Sequence, residues 1–447
     1  MKTNLLKLLI LLFSTAAFSQ AGHIMQGVGA VNMSMGGAAT GQPLDISGAL
    51  QWNPAAISTF NGSILKADFG LFFSSPELSS TYGTYSGVTK DERGVSPMPA
   101  AAFVWGAPES KHTFGVSAFG ISGFGVTFPE NMANPISMPQ EYGGFGHIQS
   151  DYMLLQIGFT WAYELSDKFS IGLQPNIDYA SLELEPNPLS APDFPEEYGG
   201  TGKGYPKSDK ATAIGFGAQI GLFFNSGTGF KAGASYKTAQ SFSEFDFNNK
   251  YITDGSDAGN VKFQMDYPAI LSLGLGYSTD LFDLALDYRM VDYENTEGFE
   301  AKGWQIASNG YPTGAVNGFG WENISILSAG IQYKGINKLP LRVGYTYSSN
   351  PINDDLAFFS IPATAVIKNA FQLGFSYQPN TNFSLDVVYH HGASDGATSG
   401  PMLNPLNISA SNPYGAVDGT SVSYEMTTDM IMVGFSYTFS KKEKQAN

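Results

Sequence analysis

Segments with strict period-two alternation recur along the chain after about residue 62, and they constrain the fold more than any other feature. In 271–277 the odd positions are Leu, Leu, Leu and Tyr, whereas the even positions are Ser, Gly and Gly. Residues 371–377 and 431–439 repeat this pattern with other large apolar residues at the odd positions. Because successive side chains of a strand point to opposite faces, each segment is predicted to be a strand with one apolar face and one smaller, more polar face.

The composition indicates which environments these two faces meet. Charged residues make up only 14% of the chain and aromatic residues another 14%, whereas soluble domains carry about 25% charged residues. Mean hydropathy is −0.08, and no run beyond the N-terminal region approaches the ~20 apolar residues of a membrane helix. A soluble β-sandwich would carry charge on its outward face. The pattern therefore favours a transmembrane barrel, with lipid outside and a lumen inside.

Short polar turns and long loops rich in Gly, Pro and Asn separate these segments alternately, as in outer-membrane barrels with tight periplasmic turns and long extracellular loops. The strands on either side of each turn and loop number fourteen. The predicted strands are 62–75, 97–107, 111–127, 148–165, 169–186, 210–225, 229–247, 261–278, 281–293, 321–334, 339–350, 364–378, 383–391 and 424–439. Residues 62–439 are therefore predicted to form an all-β fold, a 14-stranded antiparallel transmembrane β-barrel.

Both ends of the chain are predicted to lie outside this barrel. Lys2 and Lys7 supply positive charge, the run over 5–13 is apolar except for Lys7, and Ala17 and Ser19 provide small residues for a signal peptidase. Residues 1–19 are therefore predicted to be a cleaved signal peptide that exports the chain. Residues 440–447 form a polar tail after the last predicted strand.

Residues 20–61 lack the alternation that a lipid-facing wall requires. This segment is rich in glycine and alanine, but it also contains larger apolar residues and the sequence Trp52-Asn53-Pro54-Ala55. A wide barrel would leak without an obstruction, so residues 20–61 are predicted to form a hatch, or plug, inside the lumen. The alternative is a disordered periplasmic arm.

With these elements in place, the chain resembles the FadL family of outer-membrane transporters of long-chain fatty acids and aromatic hydrocarbons. The resemblance rests on the order and spacing of several short motifs around the strands, and it covers nearly all of the mature chain. The motifs are Asn53-Pro54-Ala55, Pro97-Met98-Pro99-Ala100, Tyr267-Pro268-Ala269, Leu341-Arg342-Val343-Gly344-Tyr345 and the closing strand that ends at Phe439. The tail after Phe439 departs from the family, whose barrels usually end at the terminal aromatic residue.

The resemblance implies passive transport of lipophilic small molecules, most of all long-chain fatty acids, by a monomer in the outer membrane of a Gram-negative bacterium. Its expected surroundings are outer-membrane lipid and lipopolysaccharide, and the barrel-assembly machinery is its expected folding partner. Alternatives are a general porin and an uptake channel for aromatic hydrocarbons. A porin would lack the plug and would carry more charge inside.

The resemblance also implies where a ligand is captured and where it leaves. Capture is expected on an apolar surface of the third-to-fourth-strand loop, although these side chains could simply pack that loop. The expected capture residues are Phe128, Met132, Ile136, Met138 and Phe145. Exit is expected through a gap in the wall at an inward kink of the third strand, where glycine is costly for a regular strand and commonly marks a bulge. The kink residues are Gly120, Gly123 and Gly125, which could instead only make room for the plug, and Asn53-Pro54-Ala55 is expected to abut the kink and close the gap.

Charged residues on the inward face are the candidate anchors for a carboxylate. The alternation predicts that Arg289, Arg342, Asp287, Asp386 and His390 point into the lumen. A guanidinium holds a carboxylate through two parallel hydrogen bonds, so Arg289 and Arg342 are the predicted ligand contacts. Alternatively, both arginines pair with Asp287, Asp386 or the plug.

Other function classes find little support in the sequence. A net charge of −16 argues against nucleic acid, whose binding depends on Lys and Arg at phosphates. The chain has no cysteine and only five histidines, and none of the histidines lies in a G-x-S-x-G context. There is no phosphate-binding GxxxxGK[ST] motif. We therefore expect no catalytic residues, no cofactor and no metal site.

Overall fold

A computed structural model describes residues 22–60, 62–107 and 109–439. The predicted signal peptide and the polar C-terminal tail lie outside these described residues. Among the described residues, no helix is long and apolar enough to cross a membrane.

The wall consists of fourteen antiparallel strands, as predicted, each paired with its neighbour in chain order. The barrel strands are β1 (Gly62–Tyr82), β2 (Val95–Gly106), β3 (His112–Phe128), β4 (Ile148–Ser166), β5 (Phe169–Glu185), β6 (Ala211–Asn225), β7 (Phe230–Lys237), β8 (Ala269–Ser278), β9 (Phe282–Asp292), β10 (Ile324–Tyr333), β11 (Leu341–Ser348), β12 (Asn369–Asn380), β13 (Phe383–Ala393) and β14 (Thr420–Phe439). The barrel closes because β14 pairs with β1 over its full length, from Ser63 opposite Phe439 to Tyr82 opposite Thr420.

The two faces of the strands differ as the alternation predicts. In β8, Leu273 and Leu275 are 47% and 49% exposed on the outside, whereas Ser272 is buried in the lumen. Outward aromatic rings gather beside the short turn between β2 and β3, where Trp105 stacks on Phe114 and the Trp161 indole donates to His112 Nδ1 over 3.0 Å. Amphipathic rings are stable at the boundary between acyl chains and water. This band therefore marks the periplasmic end of the membrane.

Two predicted strands are too long on the extracellular side. The predicted strand 229–247 leaves the wall after Lys237, and the predicted strand 261–278 joins the wall only at Ala269. Between them, Phe245–Tyr251 pairs with Asp257–Phe263 and with Pro206–Ser208 in a separate three-stranded sheet. The alternation continues through both segments, but their hydrogen-bond partners change. Periodicity alone does not detect such a change.

Further short elements lie mainly in the long loops and position the extracellular surface. The short strands are Tyr85–Lys90, Ser241–Phe242, Trp304–Ile306, Pro312–Val316 and Thr398–Gly400. The 3-10 helices of the loops are Pro135–Ser137, Gln140–Tyr142, Glu196–Tyr198, Asp354–Ser360 and Pro405–Asn407.

The N-terminal segment lies inside the barrel, as the plug prediction requires. It contains helices α1 (Ala30–Ser34) and α2 (Ile46–Trp52) and a 3-10 helix over Pro54–Thr59. The Asp45 side chain caps α2 by accepting a hydrogen bond from the Gly48 amide over 2.9 Å, which satisfies a donor that a helix start leaves free. Nearly every residue of 22–58 is buried. We call residues 22–60 the hatch.

Candidate functional site

The wall is interrupted between β2 and β3. Among the described residues, these strands pair from Gly106 opposite Thr113 only as far as Ala100 opposite Phe119. Beyond that point β3 continues alongside β4 to Phe128, with a register shift between Gly120 and Ser122. Such a one-residue bulge bends a strand away from its neighbour. We call the resulting gap, between residues 95–99 of β2 and 120–126 of β3, the window.

The first described residues of the hatch close this window from the inside. Ile24 forms a β-bridge with Ser122. The Met25 amide donates to the Ile121 carbonyl over 3.0 Å, and the Gly123 amide donates to the His23 carbonyl over 3.2 Å. Residues 22–25, which we call the hatch end, therefore act as a short strand that replaces β2 as the partner of β3.

A cavity of about 490 Å³ occupies the window. Its walls come mainly from the hatch end and from β1 to β4, with further residues from β5, β14 and the loops. The apolar lining residues include Met25, Phe72, Met98, Phe124, Tyr152 and Met153. A polar group of Arg93, Asp151 and Lys210 also lines the cavity. A mostly apolar cavity with a few polar groups is the usual form of a small-molecule site.

The three predicted kink glycines lie at this window, but for different physical reasons. An added Cβ at Gly120 would find no atom nearer than 4.0 Å, so Gly120 borders open space. An added Cβ at Gly123 would lie 3.0 Å from the Tyr152 carbonyl oxygen. At Gly125 it would lie 1.3 Å from Arg93 Nη1. A side chain at position 125 would therefore displace the Arg93 guanidinium, which crosses over this glycine.

The expectation that Asn53-Pro54-Ala55 abuts the kink is wrong. The triplet instead contacts β5, β6 and β7, where Asn53 Nδ2 donates to the Leu222 carbonyl over 2.9 Å. An added Cβ at Gly172 would lie 2.3 Å from the Ala55 nitrogen, and one at Gly221 would lie 2.1 Å from Asn53 Oδ1. Inward glycines on neighbouring strands let the hatch backbone approach closely, and this was the sequence signal that could have located the triplet.

An aromatic cluster surrounds the hatch end, and sequence reasoning did not find it. His23 is fully buried, its Nδ1 lies 2.7 Å from the Tyr293 hydroxyl, and its ring stacks on Phe299 at 4.8 Å. The rings of Phe124, Tyr152, Tyr267 and Trp321 lie within 6.5 Å of the imidazole. Burial lowers the pKa of His23 to about 3. His23 is therefore neutral at physiological pH, as an apolar surrounding requires.

The candidate anchors Arg289 and Arg342 are buried and face the lumen, as the alternation predicts. Arg289 Nη2 lies 2.7 Å from Asp287 Oδ2 and donates to the Gly37 carbonyl of the hatch, also over 2.7 Å. Arg342 Nε donates to Gln332 Oε1 over 2.8 Å, and Nη2 donates to the Ser376 hydroxyl. Arg289 thus follows the alternative that the sequence left open, because it pairs with Asp287 and the hatch. Arg342 instead bonds to Gln332 and Ser376, two side chains of the wall. Contact of either arginine with a ligand stays a prediction.

The inward carboxylates hold the hatch in place. Asp287 Oδ2 accepts hydrogen bonds from the Ala39 and Thr40 amides of the hatch, at 2.9 and 2.8 Å. Asp386 pairs at 2.7 Å with Lys66 of β1, whose ammonium also lies 3.2 Å from Asp45 of the hatch. The inward His390 imidazole is buried and lies 3.2 Å from the Gln372 side-chain amide. The carboxylates and Lys66 thus position the plug within the lumen.

The predicted capture residues do not form one surface. Phe128 and Ile136 are buried in the packed interior, and Met132 is 56% exposed. Met138 is half-buried. Phe145 alone of the five lines a small apolar groove of about 40 Å³ on the extracellular surface. The other walls of this groove come from different loops, and they include Tyr205, Trp304, Val316, Phe358 and Phe359.

A closed barrel with an apolar outer belt, a plugged lumen and an apolar cavity in its wall is an outer-membrane transporter of hydrophobic compounds. The family described as "Outer membrane protein transport protein (OMPP1/FadL/TodX)" matches residues 10–440. The chain belongs to this family, which confirms the resemblance drawn from the motifs. Its members are transporters and channels rather than enzymes.

Solved structures with the same fold have little sequence identity to this chain. The Pseudomonas putida toluene transporter TodX is 17% identical with a TM-score of 0.68, and the match covers 93% of this chain and 100% of that one. A Pseudomonas aeruginosa FadL homologue is 14% identical with a TM-score of 0.71, covering 94% and 100%. The Ralstonia pickettii toluene transporter TbuX is 18% identical with a TM-score of 0.62, covering 93% and 99%. No curated protein matches the chain by sequence.

Proposed function

We propose that the protein passively transports long-chain fatty acids, moving them from the extracellular groove to the aromatic cluster and then out through the window into the membrane. The observation that carries this proposal is the interruption of the wall above the Ala100–Phe119 pair. Only the hatch end and a cavity separate the lumen from the lipid at this point. A solute that left the lumen here would enter the membrane without crossing bulk water.

Capture would begin at the groove that contains Phe145. Its ring contacts Tyr205 and Phe358, each at a centroid distance of 5.6 Å. Burial of an apolar chain against such a surface is favourable in proportion to the area removed from water. The groove is small and shallow, which suits a first, weak contact.

The aromatic cluster would hold the ligand deeper inside. In the structure, the His23 imidazole fills the centre of this cluster. The Tyr267 hydroxyl is buried, and the described residues offer it no hydrogen-bond partner. A ligand that displaced His23 would meet six aromatic rings and unpaired polar atoms. Displacement of His23 would also pull the hatch end away from β3 and open the window.

An uptake channel for aromatic hydrocarbons is the second candidate, because aromatic solutes also pack well between rings. The toluene transporters TodX and TbuX share the fold. Mass spectrometry of solutes that copurify with the protein from cells grown on mixed fatty acids and toluene separates the two. Fatty acids alone would support our proposal, and toluene alone would support the second candidate.

A reversible disulfide tests whether the hatch end must move. The chain has no cysteine, so the pair Ile24→Cys and Ser122→Cys adds the only two. These positions form an antiparallel bridge flanked by the two backbone hydrogen bonds described above. Such a site places the Cα atoms ~4.5 Å apart, within the range of a disulfide. Oxidation should abolish fatty-acid transport, and reduction should restore it.

The matched control joins two strands that stay paired. Ala102 and Ser117 face each other across β2 and β3 below the window, and both are buried toward the lumen. A disulfide between cysteines at these positions should leave transport unchanged. Equal transport by the oxidised and reduced Ile24→Cys/Ser122→Cys protein would contradict a moving hatch end.

A further inference from the structure

Polar contacts close the extracellular end of the window. The Glu92 amide donates to the Thr127 carbonyl over 2.8 Å, and the Thr127 amide donates to Asp91 Oδ1 over 2.5 Å. These bonds join the loop before β2 to the upper part of β3. The window is therefore bounded by the Ala100–Phe119 pair below and by this loop above.

Arg93 extends from this loop across the window to β4. Its Nη1 donates to the Ser150 carbonyl over 2.8 Å, and its Nη2 lies 2.6 Å from Asp151 Oδ1. Its Nε lies 3.4 Å from the Ser96 hydroxyl. The guanidinium passes directly over Gly125, where a Cβ would collide with it. The side chain is 19% exposed, so it forms part of the window frame and is not a free surface arginine.

A second cation shares the same carboxylate. Lys210 Nζ lies 2.8 Å from Asp151 Oδ2 and 3.9 Å from Glu183. The hydrogen bond to Asp151 raises the pKa of Lys210, so the ammonium is charged at neutral pH. Arg93, Lys210 and Asp151 all line the window cavity, whereas Glu183 does not. The cavity therefore meets two positive charges and one negative charge at this end.

These charges lie where the apolar belt of the barrel ends. Asp151 pairs with Glu183 in the strand register, and Lys210 immediately precedes β6. Two outward positions closer to the membrane centre, past the pair of Ser181 and Thr212, Tyr179 faces Ile214, and both of these side chains are exposed. We call Arg93 and Lys210 the cationic rim. A molecule whose tail lay in the window cavity would have its head group at the level of this rim.

We propose that the cationic rim selects solutes with an anionic head group, specifically the carboxylate of a long-chain amphiphile, as they pass through the window. This inference rests on the proposed exit route and adds a determinant of specificity to it. A guanidinium and an ammonium that share one carboxylate have unused donor capacity, because Lys carries three donors and Arg five. Inside the cavity, Asp151 is the carboxylate that both cations contact, and a solute carboxylate would be a second one. A neutral hydrocarbon would gain nothing from the rim.

Transport of oleate and of oleyl alcohol by the full-length protein in phosphatidylcholine vesicles tests the proposal. The two solutes share a similar tail and differ in head-group charge, and these vesicles contain no anionic lipid. Arg93→Gln and Lys210→Gln should each lower oleate transport about tenfold, the equivalent of ~1.4 kcal/mol, and should leave oleyl alcohol transport unchanged. Lys207→Gln is the matched control, because Lys207 pairs with Glu185 at 3.2 Å and lies outside the cavity.

The outcomes separate failure of the rim from failure of the exit route. Gly120→Leu would place a side chain in the open space of the window, so it should block both solutes. If it blocks neither, the exit route itself is wrong. A further outcome is that Gly120→Leu blocks both solutes while the two rim variants change oleate and oleyl alcohol transport equally, or change neither. In that case selection by the rim is wrong, but the exit route stands. An oleate effect seen only when lipopolysaccharide is added would assign the rim to lipid phosphates and would also overturn it.

Discussion

The two ends of the hatch are attached to the wall in opposite ways. The segment 46–59 lies against inward glycines of β5 to β7 at distances that leave no room for a Cβ. It is fixed there by buried hydrogen bonds, including two from Asn53 Nδ2 to the Thr40 and Leu222 carbonyls, both 2.9 Å long. The hatch end, residues 22–25, has one β-bridge to β3, and its His23 packs in the aromatic cluster. Gly22 and Met25 also border a cavity of about 490 Å³.

This difference indicates which end can move. Close packing resists displacement because neighbouring atoms cannot relax, whereas a segment beside a cavity has somewhere to go. We therefore expect the segment 46–59 to stay fixed as a seal while the hatch end exchanges with the ligand. The predictions below test this contrast, beginning with the largest expected effect.

The largest effect is expected from Gly172→Ala. The added methyl group would lie 2.3 Å from the Ala55 nitrogen, and such overpacking typically costs ~1–3 kcal/mol. The seal should shift, and the barrel should conduct ions in a planar bilayer. Gly120→Ala adds the same methyl group where no atom lies nearer than 4.0 Å, so the axial path should stay closed. Equal conductance in both variants would contradict a tightly packed seal.

A smaller leak is expected from Asn53→Ala. The change removes both hydrogen bonds of Nδ2 and the one that Oδ1 accepts from the Ala55 amide over 3.1 Å. Losing buried hydrogen bonds costs ~1–3 kcal/mol when partners are left unsatisfied. Ion conductance should rise, although less than in Gly172→Ala. A fully closed Asn53→Ala barrel would show that glycine packing alone provides the seal.

Phe145→Ala should weaken capture without affecting later steps. The loss of its ring from the extracellular groove should raise the oleate concentration for half-maximal transport by about fivefold, or ~1 kcal/mol. The maximal rate should not change, because the hatch end and the window remain intact. Met132→Ala removes a side chain that is 56% exposed and should leave both quantities as they are. A lower maximal rate in Phe145→Ala would place this residue beyond the capture step.

The smallest effect is expected from the protonation of His23, which should release the hatch end at acidic pH but not at neutral pH. Burial lowers the pKa of docked His23 from 6.5 to about 3, so the released imidazole binds a proton more readily than the docked one. The hatch end is docked when His23 lies in the aromatic cluster and released when it does not. Because only the released imidazole binds a proton readily, the free energy that favours the docked hatch end is greatest above pH 6.5 and falls progressively as the pH drops toward 3. The tyrosines of the cluster also surround His23, and their hydroxyls stay neutral between pH 3 and pH 6.5.

Hydrogen–deuterium exchange at the Met25 amide, corrected for the intrinsic rate at each pH, measures this release. Exchange should accelerate as the pH falls from 6.5 in the wild-type protein. His23→Phe keeps an aromatic ring in the cluster but cannot be protonated, so its corrected exchange should not depend on pH. The same pH dependence in both proteins would show that another group controls the hatch end.

Sequence reasoning worked best where the signal is local. Period-two alternation located all fourteen strands, and the glycines of β3 marked the kink at the correct strand. It failed where distant segments meet. The triplet Asn53-Pro54-Ala55 was assigned to the wrong part of the wall, and four of the five expected capture residues do not line the groove. Strand ends at 237 and 269 were also missed, because the alternation continues into the extracellular sheet.

By itself, the sequence determined that odd and even side chains face lipid and lumen, and that residues 20–61 lack the alternation of the wall. Each of these properties follows from the spacing of neighbouring residues, which the chain carries in any conformation. Only the tertiary structure decided that His23–Met25 replaces β2 beside β3, and that Arg93, Asp151 and Lys210 meet at one end of the window. Contacts of this kind depend on the register of strands far apart in the chain and on the closure of the barrel. A single bulge between Gly120 and Ser122, for example, shifts the register between β3 and β4.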